Sequence, residues 1–341
     1  MNRFTIKEVA RRAMVSVGTV SNVMSGTCAV SPELRDRVER VIGELNYHPN
    51  HIARSLKSRR SNTLAIVISD ITNPFFPLVV RGAEDAASKR GYLLTIFNTD
   101  DQLAREQQVF SVLRMRRVDG VLVVVSPESG EGTHLAEMIA AGIPVVCLDR
   151  VPPNAKVDSV LVDNVKGASI CVRHLVGMGH RRIGVISGPR KLQTARDRVE
   201  GYRLALREAG IPYSAALVRE GDFRFESGYR LAKDLCLSHP RPTALFALNC
   251  TMGMGAYKAM QELSLACPED MALAVFDDVP GGDVFRPHLT VVSQPAYDIG
   301  YRAAELLIQR LTNQIASDKP VAVMLEPELK IRQSTAVRVG V

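Results

Sequence analysis

Polar and charged residues directly follow several apolar segments of this chain from residue 64 onward. They are Asp70 and Asn73, Asp149 and Arg150, Asp163 and Asn164, Asn249, and Asp277 and Asp278, with Arg196 and Arg198 at the start of a helical segment. Carboxylates, an amide and arginines, together with an aromatic residue such as Phe223, suit a small polyhydroxylated or anionic ligand. Some of these residues, Asp163, Asn164 and Asp278 in particular, fit helix caps and loops equally well.

Motifs of the common catalytic classes are absent from the sequence. It contains no G-x-x-x-x-G-K-[ST], no G-x-S-x-G and no H-E-x-x-H. The segment GMGHRRIG at 177–184 begins like a dinucleotide-binding loop, but it precedes its strand and has Arg182 at the third glycine position. The six cysteines show no C-x-x-C pair and no zinc-ligand spacing to a histidine, so we interpret them as reduced packing residues. We therefore expect ligand binding without catalysis, and neither a cofactor nor a metal.

The segment from Thr5 to Met24, TIKEVARRAMVSVGTVSNVM, predicts two short helices joined by a tight turn. Thr5 and Glu8 have the spacing of a capping box at the start of the first helix. Ser16 has the side chain of an N-cap for the second helix. Apolar residues recur at helical spacing in both helices, at Ile6, Val9, Ala10 and Ala13 and again at Val20, Val23 and Met24.

The second helix then presents Val17, Gly18 and Asn22 from its N-terminal end to a partner. This arrangement is typical of a helix-turn-helix that reads the major groove of DNA, although an ordinary helical hairpin has the same pattern. Residues 1–60 contain eleven Lys and Arg against five acidic residues, so they carry +6 of the net charge of +7. Concentrating the excess charge in this small segment favours a polyanion partner.

A third helix and a linker follow. Ser31, Pro32 and Glu33 have the order of a helix start, and apolar residues then recur at helical spacing at Leu34, Val38, Val41, Ile42 and Leu45. In the linker, Asn50 has the side chain to cap a helix of two turns, which is too short to be stable alone in water. Leu56 between Arg54 and Lys57 suits a minor-groove wedge, or else it packs on the following domain.

From Leu64 onward, short apolar segments alternate with helical patterns. The predicted strands are 64–69, 93–98, 118–125, 144–149, 159–163, 182–188, 243–249 and 272–277, and the predicted helices include 75–90, 103–115, 164–177, 194–209 and 225–237. Repeated strand and helix units predict doubly wound parallel sheets. The number of elements exceeds one sheet, so we predict two lobes with a boundary near residue 160 and a ligand cleft between them.

A chain of 341 residues with 46% hydrophobic content is long enough for two or three folded domains. It begins without a charged and then apolar leader, and it has no apolar run of about 18 residues, the length of a membrane span. We therefore expect a cytoplasmic protein.

Several motifs resemble the lac repressor (LacI/GalR) family of bacterial transcription regulators over essentially the whole chain. They are TIKEVA at 5–10, VSVGTVS at 15–21, LNYHPN at 45–50, ARSL at 53–56, DITNPFF at 70–76, VDGVL at 118–122, GHRRI at 179–183, PED at 268–270 and FDD at 276–278. The resemblance implies a homodimer with an all-α helix-turn-helix headpiece at 1–48 and a hinge helix and linker at 49–61. A periplasmic-binding-protein-like core of two α/β lobes would occupy 62–341, with an N-lobe at 62–160 plus 293–320 and a C-lobe at 161–290 plus 321–341.

Residue roles carried over from the family fall into two sets. The residues expected at the DNA are Thr5, Ser16, Val17, Gly18, Thr19, Ser21 and Asn22 in the headpiece and Asn50, Ala53, Arg54, Leu56 and Lys57 in the hinge. Among these, Val17, Gly18 and Asn22 would read the major groove and Leu56 would intercalate in the minor groove. The residues expected at the effector are Phe75, Asp149, Arg198, Phe223, Asn249, Asp277 and Gln294.

Three positions depart from the family pattern. Met14 occupies a turn position where the family usually has Gly or Asn, at a cost of roughly 1 kcal/mol if φ is positive there. Cys250 replaces the Asp of an Asn-Asp pair, and Val275 replaces the Gly before FDD, both in segments expected near the cleft. No leucine heptad follows the last strand, which predicts a dimer rather than a tail-assembled tetramer.

The resemblance implies a nucleoid-associated repressor of a carbohydrate or metabolite operon, released from an inverted-repeat operator by a sugar or sugar acid. The alternative within the family is a regulator that needs a corepressor, with a purine-like effector. A solute-binding protein without a DNA role is the alternative outside it, but that class requires a secretion signal.

Overall fold

The computed structural model describes residues 4–25, 29–47, 61–116, 118–127, 130, 132–278, 281–315 and 319–336. Contacts divide the chain into two compact units, residues 1–61 and residues 62–341. No helix in these described ranges is long and apolar enough to cross a membrane.

The first unit contains three helices, α1 (Ile6–Arg12), α2 (Val17–Ser25) and α3 (Pro32–Glu44). Their apolar faces meet in one small core, whose buried members are Val9, Ala10, Ala13, Val20, Val38, Val41 and Leu45. The predicted apolar spacing is therefore confirmed for all three helices.

The helix ends correct two of the predicted caps. The Oγ of Ser16 accepts the backbone N–H of Thr19 at 3.0 Å, as predicted. Thr5 makes no side-chain cap, and the Glu8 carboxylate accepts from Arg11 and Arg12 rather than from the Thr5 amide. These bonds lower the pKa of Glu8 to about 2. Two guanidinium donors, each itself charged, replace the single backbone N–H of a capping box. Ser31 precedes α3 without a side-chain cap, and nothing in the structure explains its absence.

The turn between α1 and α2 contains a non-glycine residue in the left-handed region. Met14 has a φ of 51°, and its side chain is exposed. The condition under which Met14 carries a backbone cost is therefore met, and the left-handed region is the one that Gly and Asn adopt most easily.

The second unit alternates strands and helices. Its strands are β1 (Thr63–Ile68), β2 (Leu93–Asn98), β3 (Gly120–Val123), β4 (Val145–Leu148), β5 (Asp158–Val162), β6 (Ile183–Ser187), β7 (Val218–Glu220), β8 (Ala244–Ala247), β9 (Ala272–Phe276), β10 (Thr290–Ser293), β11 (Ala322–Leu325) and β12 (Glu328–Lys330). Its helices are α4 (Phe75–Lys89), α5 (Leu103–Arg116), α6 (Thr133–Ala140), α7 (Asn164–Gly177), α8 (Gln193–Glu208), α9 (Phe225–Leu237), α10 (Cys250–Glu262) and α11 (Ala296–Leu311).

These strands form two six-stranded sheets, with the orders β11-β5-β4-β3-β1-β2 and β12-β10-β9-β8-β6-β7. All neighbouring strands are parallel except β12, which runs antiparallel to β10. We call the first sheet with its helices the N-lobe and the second the C-lobe. The predicted two-lobed, doubly wound fold is confirmed.

Each sheet is buried on both faces, which explains why its central strands are continuous apolar runs. In β1, Leu64, Ile66 and Ile68 pack towards α4 and α11, whereas Ala65 and Val67 pack towards α5 and α6. In the C-lobe, one core contains residues of α7 and α8 and the other contains residues of α9 and α10.

The C-terminal segment differs from the expected division between lobes. We expected residues 321–341 to lie in the C-lobe, but β11 (Ala322–Leu325) pairs with β5 in the N-lobe sheet, and only β12 joins the C-lobe sheet. The chain therefore passes between the lobes after residue 325. Likewise β5 extends to Val162 within the N-lobe, slightly beyond the expected boundary near 160.

Two glycines allow α4 and α11 to pack backbone against backbone. A Cβ added at Gly300 would fall on the carbonyl oxygen of Val79, and one at Gly82 would fall on that of Tyr297. We predict that Gly300→Ala lowers the free energy of unfolding by about 2–3 kcal/mol, because backbone atoms must shift to admit the methyl group. Urea denaturation measures the change. The control is Gly177→Ala, whose Cβ meets no atom within 4 Å; equal stability of both variants would contradict the packing argument.

Candidate ligand cleft and nucleic-acid interface

The carboxyl ends of the parallel strands of both lobes meet at one cavity of about 220 Å³. All seven residues expected at the effector line it: Phe75, Asp149, Arg198, Phe223, Asn249, Asp277 and Gln294. Asp149, Asn249, Asp277 and Gln294 each follow a strand within two residues, so the topology alone brings them together. The structure confirms this gathering, whereas the contacts of each residue with an effector remain a prediction.

Arg198 and Asp277 form the C-lobe side of the charged site. Both side chains are buried, and Arg198 Nη1 lies 3.9 Å from Asp277 Oδ2. The guanidinium lies over the ring of Phe276 at 3.8 Å, donates through Nε to Asn164 Oδ1 at 2.8 Å, and donates through Nη1 to the carbonyl of Leu248 at 2.6 Å. These contacts fix the plane of the guanidinium while leaving other N–H donors for a ligand.

Asp149 and Arg150 form the N-lobe side. Arg150 is buried, donates through Nη2 to Asp101 at 2.7 Å, and has its Nε 3.9 Å from Asp149 Oδ2. The sequence places Arg150 among the candidate strand-end residues but not in the effector set that the family resemblance implies, and Asp101 is in neither set. The position of Arg150 directly after a strand was a usable signal, whereas Asp101 gave none, because its role depends on its contact with Arg150.

Five lining residues have a left-handed backbone: Asp100 with φ 52°, Asp101 with φ 57°, Asp149 with φ 62°, Phe223 with φ 65° and Asp277 with φ 74°. Non-glycine residues in this region carry strain and cluster at ligand sites. Asn249 holds one of them in place, since its Nδ2 donates to the carbonyl of Phe223 at 2.9 Å while its Oδ1 caps α10 at Met252. The cleft is therefore a rigid and strained surface.

Burial dominates the electrostatics of the two carboxylates. Burial raises the pKa of Asp277, opposed by the nearby Arg198 and by the hydrogen bond that Gln294 donates. Burial also raises the pKa of Asp149, opposed by Arg150 and Arg198. The site therefore holds two acidic acceptors that take up a proton more readily than ordinary aspartates.

Other strand-end residues have structural roles. Asp163 caps α7 by accepting from the N–H of Lys166 at 2.8 Å, and Asp278 is paired with Lys330 and Arg332, both as expected for caps and loops. Asn164 supports Arg198, as described above. Arg196 does not line the cavity; it donates to the carbonyls of residues 190 and 191.

The two departures from the family pattern in the core have different consequences. Val275 is buried against Gly253 of α10 and is not among the residues that line the cavity, although Asp277, two residues further on, does line it. Cys250 is also buried, and its Sγ lies 3.8 Å from Asn73 Oδ1, a cleft residue of the N-lobe. Burial raises the pKa of the Cys250 thiol to about 12, so the sulfur is a neutral contact between the lobes.

The expected DNA residues of the headpiece lie on and before α2. Ser16, Val17, Gly18 and Ser21 are exposed and Thr19 and Asn22 are half-buried, while Val20 between them is buried in the core. Thr5 is exposed immediately before α1. The hinge residues Asn50, Ala53, Arg54, Leu56 and Lys57 lie outside the described residues.

Within the described ranges, no three His, Cys, Asp or Glu side chains are placed to hold a metal ion.

A basic helix-turn-helix and a two-lobed core with a polar ligand cleft, in one chain, define a ligand-controlled DNA-binding protein.

Comparison with known proteins agrees with this class. Residues 5–50 match the family described as bacterial regulatory proteins, lacI family, and residues 61–325 match periplasmic binding proteins and sugar binding domain of LacI family. The chain therefore belongs to the LacI family and is a transcriptional regulator rather than an enzyme.

Individual relatives cover almost the whole chain. The ribose operon repressor of Haemophilus influenzae is 35% identical over 97% of this chain and 98% of its own length. The HTH-type transcriptional repressor PurR of Vibrio vulnificus is 33% identical over 97% and 98%. A crystal structure of the lac repressor dimer bound to operator and the anti-inducer ONPF superposes with a TM-score of 0.86 at 26% identity, covering 98% of this chain and 99% of that one.

Proposed function

We propose that this protein represses a sugar-utilisation operon and is released from its operator when a small sugar binds in the cleft. The observation that carries the proposal is the pairing of two buried carboxylates with two buried guanidiniums around one small cavity. Adjacent sugar hydroxyls donate to carboxylates and accept from guanidiniums, so this set matches a polyol. Gln294 Oε1 is buried without a hydrogen-bond partner among the described residues, and a ligand hydroxyl would satisfy it.

Ribose is the first candidate. The cavity of about 220 Å³ lies below the roughly 300–1,000 Å³ typical of drug-sized ligands, which favours a monosaccharide. The name of the ribose operon repressor from Haemophilus influenzae points to the same sugar. The corepressor alternative, with a purine-like effector, keeps nucleobases on the list of ligands to test.

Thermal unfolding against a panel of pentoses, hexoses, sugar acids, nucleosides and nucleobases tests the effector. A ligand at about 100 times its Kd stabilises the protein by about 2.7 kcal/mol. Operator binding with and without the hit then decides the sign of control: weaker binding supports induction, and tighter binding supports the corepressor alternative. A hit among nucleobases alone would overturn the sugar proposal.

For DNA recognition, we propose a headpiece at 1–48 and a hinge at 49–61 that dock on an inverted-repeat operator on the nucleoid. Val17 and Gly18 offer no side-chain hydrogen bonds, so base recognition depends mainly on Asn22, on contacts with thymine methyl groups and on DNA shape. The other headpiece contacts proposed are Thr5, Ser16, Thr19 and Ser21.

We predict that Asn22→Ala weakens binding to an operator selected in vitro by about 10- to 100-fold, because each good base contact contributes about 1–3 kcal/mol. Fluorescence anisotropy at fixed salt measures the affinity, and circular dichroism checks that the headpiece stays folded. The control is Ser31→Ala, an exposed position without a side-chain cap bond. Equal operator affinity of the two variants would remove Asn22 from the recognition surface.

We further predict that Leu56→Ala weakens operator binding while sugar affinity is unchanged. An apolar wedge unstacks one base step, and the bend lets the protein contact more DNA. Anisotropy and calorimetry on the same preparation separate the two affinities. Operator affinity equal to wild type would exclude the wedge.

We propose a homodimer because an inverted repeat requires two headpieces. The N-lobe provides a surface for it: β2 is an edge strand whose Leu93 is 75% exposed and Ile96 47% exposed, with Ile71 exposed near its end. Exposed apolar edge strands are normally covered. Analytical ultracentrifugation of the full chain tests this; a monomer at micromolar concentration would contradict it.

A further inference from the structure

Glu106 is a fully buried carboxylate outside the ligand cleft. It belongs to the first turns of α5 and has 0% exposure. One carboxylate oxygen lies 2.7 Å from His134 Nε2 on α6, and the other accepts the backbone N–H of Ser126 at 2.5 Å. Burying a carboxylate is costly unless it is paired and hydrogen-bonded. Glu106 therefore ties α5 to two other segments of the N-lobe.

The Ser126 segment and the start of α5, which Glu106 joins, both lie next to residues that line the cleft. Ser126 follows β3, and the next residue, Pro127, lines the cavity. On the other side, α5 begins just after Asp100 and Asp101, which also line the cavity. Asp101 in turn holds Arg150 at 2.7 Å. A single carboxylate thus sets the spacing of two walls of the cleft without lining it.

His134 is the third member of this arrangement. Its imidazole lies edge-on to Phe110 of α5 with ring centroids 4.9 Å apart, and its side chain is 11% exposed. It also lines a separate groove between α5 and α6, with Arg114 and Glu137, which pair with each other at 3.4 Å. The buried Cys147 also senses Glu106: the pKa of its thiol is raised by burial and further by the charges of Glu106 and Asp158.

We propose that Glu106 and His134 are positioning residues of the ligand cleft, which hold the segment at Ser126 and the start of α5 at the spacing that the effector requires. This inference rests on the proposed function of the cleft. The Glu106 carboxylate accepts the Ser126 N–H, and the contact with His134 Nε2 fixes the position of its other oxygen. A residue that only filled space would remove this acceptor of the Ser126 N–H.

The test compares four full-length variants: Glu106→Leu, Glu106→Gln, His134→Gln and the double variant Glu106→Leu with His134→Gln. Calorimetry with ribose measures affinity, and hydrogen exchange by mass spectrometry follows residues 99–106 and 124–127. Leucine removes the acceptor for the Ser126 N–H, whereas glutamine retains one. Arg114→Gln, on the rim of the groove lined by His134, is the matched control.

We expect Glu106→Leu to weaken ribose binding by about tenfold and to speed exchange in both segments, because a buried N–H loses its acceptor. Glu106→Gln should restore affinity to within about threefold of wild type, since the Ser126 bond returns. His134→Gln should weaken binding alone but add nothing to Glu106→Leu, because the two residues act as one unit. Arg114→Gln should change neither measurement.

Ribose affinity of Glu106→Leu equal to wild type, or an equal loss in Arg114→Gln, would overturn the positioning role. Should Glu106→Leu fail to fold, His134→Gln carries the comparison with Arg114→Gln, because it changes the contact to Glu106 and leaves the Ser126 bond in place; wild-type affinity of His134→Gln would then overturn the positioning role. If the wild-type protein does not bind ribose, only the proposed effector is contradicted. The hydrogen exchange of Glu106→Leu then tests the inference. Faster exchange in only one of the segments 99–106 and 124–127, or in neither, would overturn it.

Discussion

We expect that replacing Arg198 with methionine will abolish measurable ribose binding and lower the free energy of unfolding by about 3–5 kcal/mol. The methionine retains much of the aliphatic volume but loses the bonds to Asn164 and to the Leu248 carbonyl and the stacking on Phe276. It also leaves Asp277 buried without its cation, which is the larger loss.

Calorimetric titration and urea denaturation of the same preparation measure both effects. The control is Arg203→Met on the same helix, where the guanidinium lies over Tyr213 and is about half exposed. Removing that side chain should leave ribose affinity unchanged. If Arg198→Met still binds ribose within about tenfold of wild type, the cleft does not recognise its ligand through this guanidinium.

The strand pattern of the core was predictable because strands buried on both faces are continuous apolar runs. All eight predicted strands are present, and so are the five predicted helices. The strands that the pattern did not reveal lie at or next to the sheet edges. In β11, for example, exposed Ala322 and Met324 alternate with half-buried neighbours, so the segment has no continuous buried run. Its membership of the N-lobe sheet depends on pairing with β5, which no local pattern encodes.

The cleft was predictable for the same topological reason. Residues that follow parallel strands meet at one edge of a sheet, so Asp149, Asn249 and Asp277 gather without any knowledge of side-chain contacts. Contacts between side chains were not predictable. Glu8 bonds to Arg11 and Arg12 instead of capping α1, and Val275 packs on Gly253 and is not among the residues that line the cavity. Such outcomes depend on competition between partners that spacing alone does not rank.

Sugar binding should weaken as the pH falls, and the two buried aspartates are the cause. Burial raises the pKa of Asp149 and of Asp277 above the usual 3.8 in the folded protein, although the nearby arginines oppose the shift. Ligand hydroxyls donate to ionised carboxylates, so a proton on either aspartate competes with the sugar. Because the carboxylates interact, they titrate as a pair.

As the pH falls, these two carboxyl groups change the stability of the ligand-free protein and its affinity for ribose in opposite directions. A carboxyl whose pKa is raised on folding contributes stability below its unfolded pKa, and this contribution is lost as the pH rises through the folded pKa. The ligand-free protein therefore gains stability from these two groups on acidification, while affinity for ribose falls by up to about tenfold per pH unit for each carboxylate that must ionise.

Calorimetry at a series of pH values from 7 down towards the usual aspartate pKa of 3.8 measures this dependence. Repeating it in buffers of different ionisation enthalpy counts the protons that are released when ribose binds. Asp277→Asn should weaken binding at pH 7 and flatten the pH dependence, because one titrating acceptor is gone. Asp278→Asn is the matched control: burial acts to raise the pKa of Asp278, but its bonds to Arg332 and Lys330 outweigh burial and lower it. Asp278 therefore gives up its proton more readily than an ordinary aspartate. Its replacement should preserve the dependence of ribose affinity on pH. An unchanged slope in Asp277→Asn would show that this carboxylate does not accept from the sugar.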